Sequence, residues 1–148
     1  MSLIVFVCGS NRSRSPMAAA YFADLLRRRG IRDIEVCSAG LRVRHGETVS
    51  QEAREALRRK GLEPLQVGTV PLLPKLVKKA SLLLCMTEEQ QTMAESQLPS
   101  SKGKIRPLLS VIGSPRSIGE PTKGDLARHV ECLELMRPAL EALVDIVE

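Results

Sequence analysis

The sequence predicts a single three-layer α/β domain over residues 1–148. Its sheet has four parallel strands in the order 2-1-3-4, with helices on both faces. Three observations predict it. Apolar runs of strand length alternate with helix-length amphipathic segments, which calls for parallel strands joined by crossover helices. Glycines and a Gly/Pro/Ser-rich stretch, GSPRSIGEPTKG at 113–124, punctuate the boundaries. The 148 residues, 43% hydrophobic and 26% charged, make one domain of ordinary globular composition, without internal repeat or low-complexity segment.

The elements follow in order. SLIVFV at 2–7 is apolar with β-branched content, hence a buried strand. A helix is expected over 16–29: Pro16 suits a first turn, Met17, Ala20, Tyr21 and Leu25 share a face, and Gly30 stops it. IEVCSAG at 34–40 reads as the second strand, closing in a glycine turn. SQEAREALRRK at 50–60 is a helix with Ser50 as N-cap and Gly61 as stop. After the turn-rich LEPLQVGTVPLLP comes a short basic helix near 75–79, then ASLLLCM at 80–86 as the third buried strand. Thr87 opens a capped helix over 87–97, with Glu89 and Gln90 in its first turn. KIRPLLSVIG holds a weaker fourth strand near 105–109. The last helix runs from Asp125, with Leu126, Val130, Leu133, Leu140 and Val144 along one side, and Pro138 inside it predicts a kink or a split.

Composition narrows the function. Phe6, Tyr21 and Phe22 are the only aromatic residues, so the core rests on aliphatic side chains. The net charge of +5 is uneven: residues 1–60 carry twelve Lys/Arg against six Asp/Glu, and residues 121–148 carry three against six. A basic front half suits an anionic substrate. With almost no aromatics to stack on bases and no binding motif, no nucleic acid partner is expected. The apolar start is too short for a membrane span, so no membrane partner is expected either. Cys8, Cys37, Cys85 and Cys132 show no C-x-x-C spacing, which fits free thiols in a cytoplasmic setting. His45 and His129 stand alone in sequence, so neither a metal site nor another cofactor is expected. The oligomeric state is not legible.

The chemistry gathers in VCGSNRSRSPM. Cys8 falls at the carboxyl end of the first strand, where open α/β sheets bind ligands. The N–H groups of residues 9–15 precede a helix N-terminus, which favours an anion. Arg14 adds a planar, permanently charged fork that matches phosphate oxygens in pairs. The same surroundings favour a thiolate over a thiol at Cys8, and Ser15 is placed to donate a hydrogen bond to it. The stretch can therefore bind phosphate and attack it. Neither G-x-x-x-x-G-K-[ST] nor G-x-G-x-x-G occurs, so other phosphate loops fit poorly.

VCGSNRSRSPMAAAYF resembles the phosphate loop and first helix of the low-molecular-weight protein-tyrosine phosphatase family, whose pattern is C-x-G-N-x-x-R-S followed by Pro. The likeness continues through CSAG at 37–40, SQEAREALRRKGL, LLLCMTEEQ at 83–90 and GEP before the last helix, nearly the whole chain. It implies a two-step phosphoryl transfer on a phosphorylated protein or peptide, phosphotyrosine first, with no metal or organic cofactor. Cys8 would attack phosphorus. Gly9, Ser10, Asn11, Arg12, Ser13, Arg14 and Ser15 would bind the phosphate. Glu120, followed by Pro121, would protonate the leaving oxygen and then activate water.

Four departures from the family pattern carry expectations. Glu120 stands where Asp is usual, on an arm one methylene longer. Ser10 replaces a usual Gly, which predicts strain if that backbone needs positive φ. Ser13 replaces a second cysteine, so a protective disulfide to Cys8 cannot form there. Leu41 and Val43 follow the SAG turn, and no aromatic follows Pro121, so stacking on a phenol ring is poorly supported. Some bacterial relatives that act on phosphoarginine carry a small Thr at the position of Arg12, where a free cation would repel a guanidinium. The rim of Arg12, Arg42, Arg44 and Arg116 suits acidic phosphopeptides. Two alternatives stay open. One is a catalytically weak or inactive phosphate-binding relative. The other is a thioredoxin-coupled arsenate reductase, for which Cys85, on a strand beside the first, would have to lie near Cys8.

Overall fold

The computed structural model describes residues 2–148. Strand β1 (Ser2–Cys8) leads into helix α1 (Arg14–Arg28), then β2 (Ile34–Gly40), α2 (Gln51–Arg58), α3 (Pro74–Lys79), β3 (Leu82–Cys85), α4 (Glu88–Gln97), β4 (Ile105–Pro107) and α5 (Leu126–Val147). Single 3-10 turns lie at Pro99–Ser101 and Leu108–Ile112. The four strands form one sheet in the order β2-β1-β3-β4, every pair parallel, as expected. The β1–β2 register runs from Ser2 opposite Ile34 to Cys8 opposite Gly40, so Cys8 and Gly40 end side by side.

Alternation along β1 divides the core. Ile4, Phe6 and Cys8 face α1, α2 and α5, whereas Leu3, Val5 and Val7 face α3 and α4. Both faces are covered, which is why β1 is a continuous apolar run rather than an alternating one. Phe6 meets Phe22 of α1 edge to face, with centroids 5.5 Å apart. Such a pair adds about 1 kcal/mol beyond its buried area.

Several boundaries differ from expectation for local reasons. Helix α1 starts at Arg14 rather than Pro16, because the Met17 N–H already bonds the Ser13 carbonyl at 3.0 Å. Strand β3 is trimmed to Leu82–Cys85. Strand β4 stops at Pro107, after which Leu108–Ile112 winds into a 3-10 turn closed by Gly113 at φ 73°. Pro138 does not split the last helix, which continues unbroken to Val147. Pro138 and Glu134, the residue whose carbonyl loses its helical partner, are both exposed, so water can accept that role. Leu133 and Met136 before the proline, and Ala139, Leu140 and Leu143 after it, are buried in the same cluster, which holds both halves on one face. The caps behave as the sequence indicates. Ser50 accepts from Ala53 N, Thr87 from Gln90 N, and Asp125 from Arg128 N. No helix of the described residues is long and apolar enough to cross a membrane.

Candidate active site

The site forms where the central strand β1 ends. Cys8 is buried on the α1 side of the sheet, and the loop 9–13 turns back so that Ser15 Oγ lies 2.9 Å from Cys8 Sγ. The reversal is made at Asn11, the only non-glycine residue at positive φ (60°) among those described. Asparagine tolerates this region because its short side chain bonds locally. The strain expected at Ser10 is therefore absent; the left-handed residue is its neighbour.

Asn11 is fully buried and all its polar capacity is used. Its Nδ2 donates to Ser15 Oγ at 2.8 Å and to Ser38 Oγ at 3.0 Å. Its Oδ1 accepts from Gln66 Nε2 and from Val70 N, each at 2.8 Å. One side chain thus ties the loop to α1, to β2 and to the segment 66–70. Because Ser15 Oγ accepts from Asn11, its own hydrogen is left for Cys8 Sγ or for the Ala39 carbonyl, and the latter is longer at 3.4 Å.

The main-chain donors of the loop are otherwise unengaged. Among the described residues, none of the N–H groups of residues 9–15 donates to a protein acceptor. A run of unpaired N–H groups leading into a helix N-terminus can hold a doubly charged oxyanion. Arg14 is also buried, and its Nη1 donates to the Ile118 carbonyl at 2.9 Å. Ile118 is itself fully buried, and its N–H bonds the Met86 carbonyl at 2.9 Å, so it pins the stretch 113–124 to the end of β3.

The opposite wall is Gly40 and the residues after it. Leu41 N bonds Cys8 O at 3.0 Å and Arg42 N bonds Gly9 O at 2.8 Å. Gly40 is not at positive φ; it is glycine for space. A Cβ there would sit 2.7 Å from Gly9 O, 2.7 Å from Val43 Cγ2 and 3.0 Å from Asn11 Cβ.

The remaining expected residues fall as follows. Glu120 is exposed, two residues beyond Ile118, and its carboxylate makes no ion pair or hydrogen bond among the described residues. Its segment is beside Arg14, but the carboxylate does not touch Cys8 or Arg14. Arg12 is not a free cation. Its Nε donates to the Thr48 carbonyl at 2.9 Å and lies 3.6 Å from Glu47 Oε2. Arg42, Arg44 and Arg116 are exposed and have no acidic partner among the described residues.

Ser13 bonds Ser50 Oγ and His129 Nε2, each at 2.9 Å. His129, isolated in sequence, is thus joined to the loop. Cys85 is not near Cys8: it belongs to the core on the opposite face of the sheet. Burial pushes its thiol up to about 12. Cys132, on α5 near both Cys8 and Arg14, is pushed up to about 11, again chiefly by burial. No cluster of three or more His, Cys, Asp or Glu able to hold a metal occurs among the described residues.

A family model described as low molecular weight phosphotyrosine protein phosphatase matches residues 3–148. A protein-arginine-phosphatase of Geobacillus stearothermophilus is 32% identical over 143 residues, covering 96% of this chain and 90% of its own. Low molecular weight protein-tyrosine phosphatase A of Mycobacterium bovis is 32% identical over 157 aligned positions, covering 98% and 91%. Among solved structures, a mutant of the YwlE arginine phosphatase with a phosphorylated active-site serine superposes with a TM-score of 0.91 at 29% identity, covering 98% of this chain and 95% of that one.

Proposed function

The chain belongs to the low molecular weight phosphotyrosine protein phosphatase family and is a phosphoric monoester hydrolase, and on that premise we propose that it works through a phosphocysteine at Cys8. In the first step Cys8 Sγ attacks phosphorus in line. The P–S bond forms, the bond to the leaving oxygen breaks, and Glu120 delivers its proton to that oxygen. The N–H groups of Gly9, Ser10, Asn11, Arg12, Ser13, Arg14 and Ser15, with the Arg14 guanidinium, hold the equatorial oxygens throughout. In the second step Glu120 takes a proton from water, the water oxygen attacks phosphorus, and the P–S bond breaks to release inorganic phosphate. The Ser15 hydroxyl stabilises the thiolate before the first step and after the second.

One observation carries this reading: the seven consecutive amides of residues 9–15, which follow the buried Cys8 and include that of the buried Arg14, have no protein acceptor. The related phosphatase with a phosphorylated active-site serine supports a covalent intermediate. Cys8→Ser tests it. Release of phosphate from para-nitrophenyl phosphate should vanish while vanadate still binds. A Cys8→Ser protein that turns over normally refutes the mechanism. A wild type that binds vanadate without turnover identifies an inactive phosphate-binding relative instead. The arsenate reductase alternative loses Cys85 as its second thiol, since Cys85 lies across the sheet; consumption of arsenate with thioredoxin present would favour that alternative through another cysteine.

The substrate is read as a phosphorylated protein side chain, phosphotyrosine first, with acidic flanking residues drawn to Arg42, Arg44 and Arg116. A specific observation favours phosphoarginine as a second reading. Glu47 compensates the Arg12 charge, which removes the repulsion expected of a free cation there, and two of the relatives are protein-arginine-phosphatases. Rates on phosphotyrosine, phosphoarginine and phosphoserine peptides, each with acidic and neutral flanks, separate these readings.

A further inference from the structure

The chain from Pro64 to Pro74, PLQVGTVPLLP, carries no charged residue, although 26% of the protein's residues are charged. A stretch without charge is ordinarily buried, as β1 is. This one is not. Leu65, Val67, Val70 and Leu73 are 48%, 71%, 37% and 56% exposed, and they make up four of the six large hydrophobic residues exposed among those described. None of the four belongs to either core cluster. Single exposed apolar side chains are common, but a concentration of them marks a surface that another molecule covers.

The place of this stretch says which molecule that is. Gln66 Nε2 and the Val70 N–H both donate to Asn11 Oδ1 at 2.8 Å, so two of its residues are bonded to the one at which the phosphate loop reverses. The Val70 carbonyl accepts from Gly40 N and the Leu72 N–H donates to Gly40 O, both at 2.8 Å, which lays the stretch along the Gly40 wall of the site. Bridges between Thr48 and Gly68 and between Gly40 and Pro71 hold the chain around Val70 extended. At roughly 3.3 Å per residue, Val67 and Leu73 each lie no more than about 10 Å along the chain from Val70.

We propose that this strip is the docking surface for apolar residues that flank the phosphorylated residue of a protein substrate, a step that rests on reading residues 9–15 as the phosphate site. Continuity fixes the occupant. A polypeptide whose phosphoryl group is held by residues 9–15 lies across the rim of that loop, and on the Asn11 side the rim is Val70 with its neighbours. A flanking residue within about three positions of the phosphorylated one spans the same 10 Å or so and reaches Val67 or Leu73. The strip thereby adds selection for apolar flanks to the selection for acidic flanks by Arg42, Arg44 and Arg116.

The test compares kcat/KM for phosphopeptides that carry leucine or serine at one position within three of the phosphorylated residue. The peptides carry whichever of phosphotyrosine and phosphoarginine the wild type hydrolyses faster. The wild type should prefer leucine at one or more of these positions by about tenfold, the scale of half-burying one leucine side chain. In the double variant Val67→Thr, Leu73→Ser the preference should fall below about twofold. Its kcat and KM for para-nitrophenyl phosphate, an ester without flanking residues, should stay within about twofold of wild type. Both positions are exposed, threonine keeps the branched Cβ, and serine suits Leu73 as the N-cap of α3. Ile146→Ser, at the other end of α5 and 61% exposed, should keep the wild-type preference. A wild type indifferent to leucine, or a double variant that retains the preference, overturns the proposal. So does a dimer of the wild type that the double variant abolishes with peptide preference unchanged, which makes the strip a contact between copies. A wild type that neither hydrolyses the ester nor binds vanadate overturns the phosphate reading and this proposal together, an outcome distinct from an active enzyme indifferent to flanking leucine.

Discussion

Gly40→Ala should damage turnover more than stability. Its new Cβ would meet Gly9 O at 2.7 Å, Val43 Cγ2 at 2.7 Å and Asn11 Cβ at 3.0 Å, whereas ordinary contact begins at 3.4 Å. The shortfall on the Gly9 oxygen is about 0.7 Å, the difference between 2.7 and 3.4 Å. Gly40 cannot retreat, because its N–H bonds Val70 O and its carbonyl accepts from Leu72 N, both at 2.8 Å. The loop beside Cys8 must give way instead. Overpacking of this kind costs about 1–3 kcal/mol, offset by roughly 0.5 kcal/mol because alanine stiffens the unfolded chain. A loss of about 1–2 kcal/mol lowers Tm by about 3–8 °C in a domain of this size. Displacing a catalytic group by most of an ångström costs about ten- to a hundredfold in rate. The assay is kcat for para-nitrophenyl phosphate at 25 °C, where the variant stays folded, beside a thermal melt. Gly68→Ala, with nothing within 4 Å of its Cβ, serves as control. If Gly40→Ala keeps kcat within twofold and melts with Gly68→Ala, the close-approach reasoning is wrong.

Glu120→Gln should lower kcat by about 10²- to 10⁴-fold, and more for alkyl phosphates than for para-nitrophenyl phosphate, whose leaving oxygen needs no proton. Equal losses on both esters would remove Glu120 from the role of acid. Thiol chemistry gives a further expectation. Burial raises Cys132 to about 11 and Cys85 to about 12. A raised value keeps a thiol protonated below it, so at pH 8 roughly a thousandth or less of either is thiolate. Iodoacetamide followed by mass spectrometry should therefore mark Cys8 before Cys85 or Cys132, with vanadate protecting Cys8. Earlier labelling of either buried thiol contradicts the assignment.

The sheet was legible because β1 and β3 are apolar runs followed by Gly9 and by the capping Thr87, and β2 closes on Gly40, whereas β4, three residues long, gave only a weak signal. Cys8, Arg14 and Ser15 were legible because a strand end, a polar turn and a proline-started helix adjoin within a dozen residues. What escaped was long-range. Nothing local marks Ile118 as the partner of Arg14, or His129 as the partner of Ser13; the separations are 104 and 116 residues. Cys85, on an apolar strand beside the first, was legible as a core residue; the face of the sheet it occupies is decided by pleat parity, which the ends of short strands hide. The pairing of Arg12 is hidden in the sequence because its partner, Glu47, lies on a turn with no periodic pattern.

The tie between Arg14 and the Ile118 carbonyl bears on when the protein first becomes competent. The guanidinium near Cys8 has no anchor until a segment 104 positions further along has folded against it, and the Ser13 hydroxyl has no imidazole until α5 docks. The segment that supplies the cysteine therefore depends on the 113–124 stretch and on α5 to hold its arginine and its serine in place.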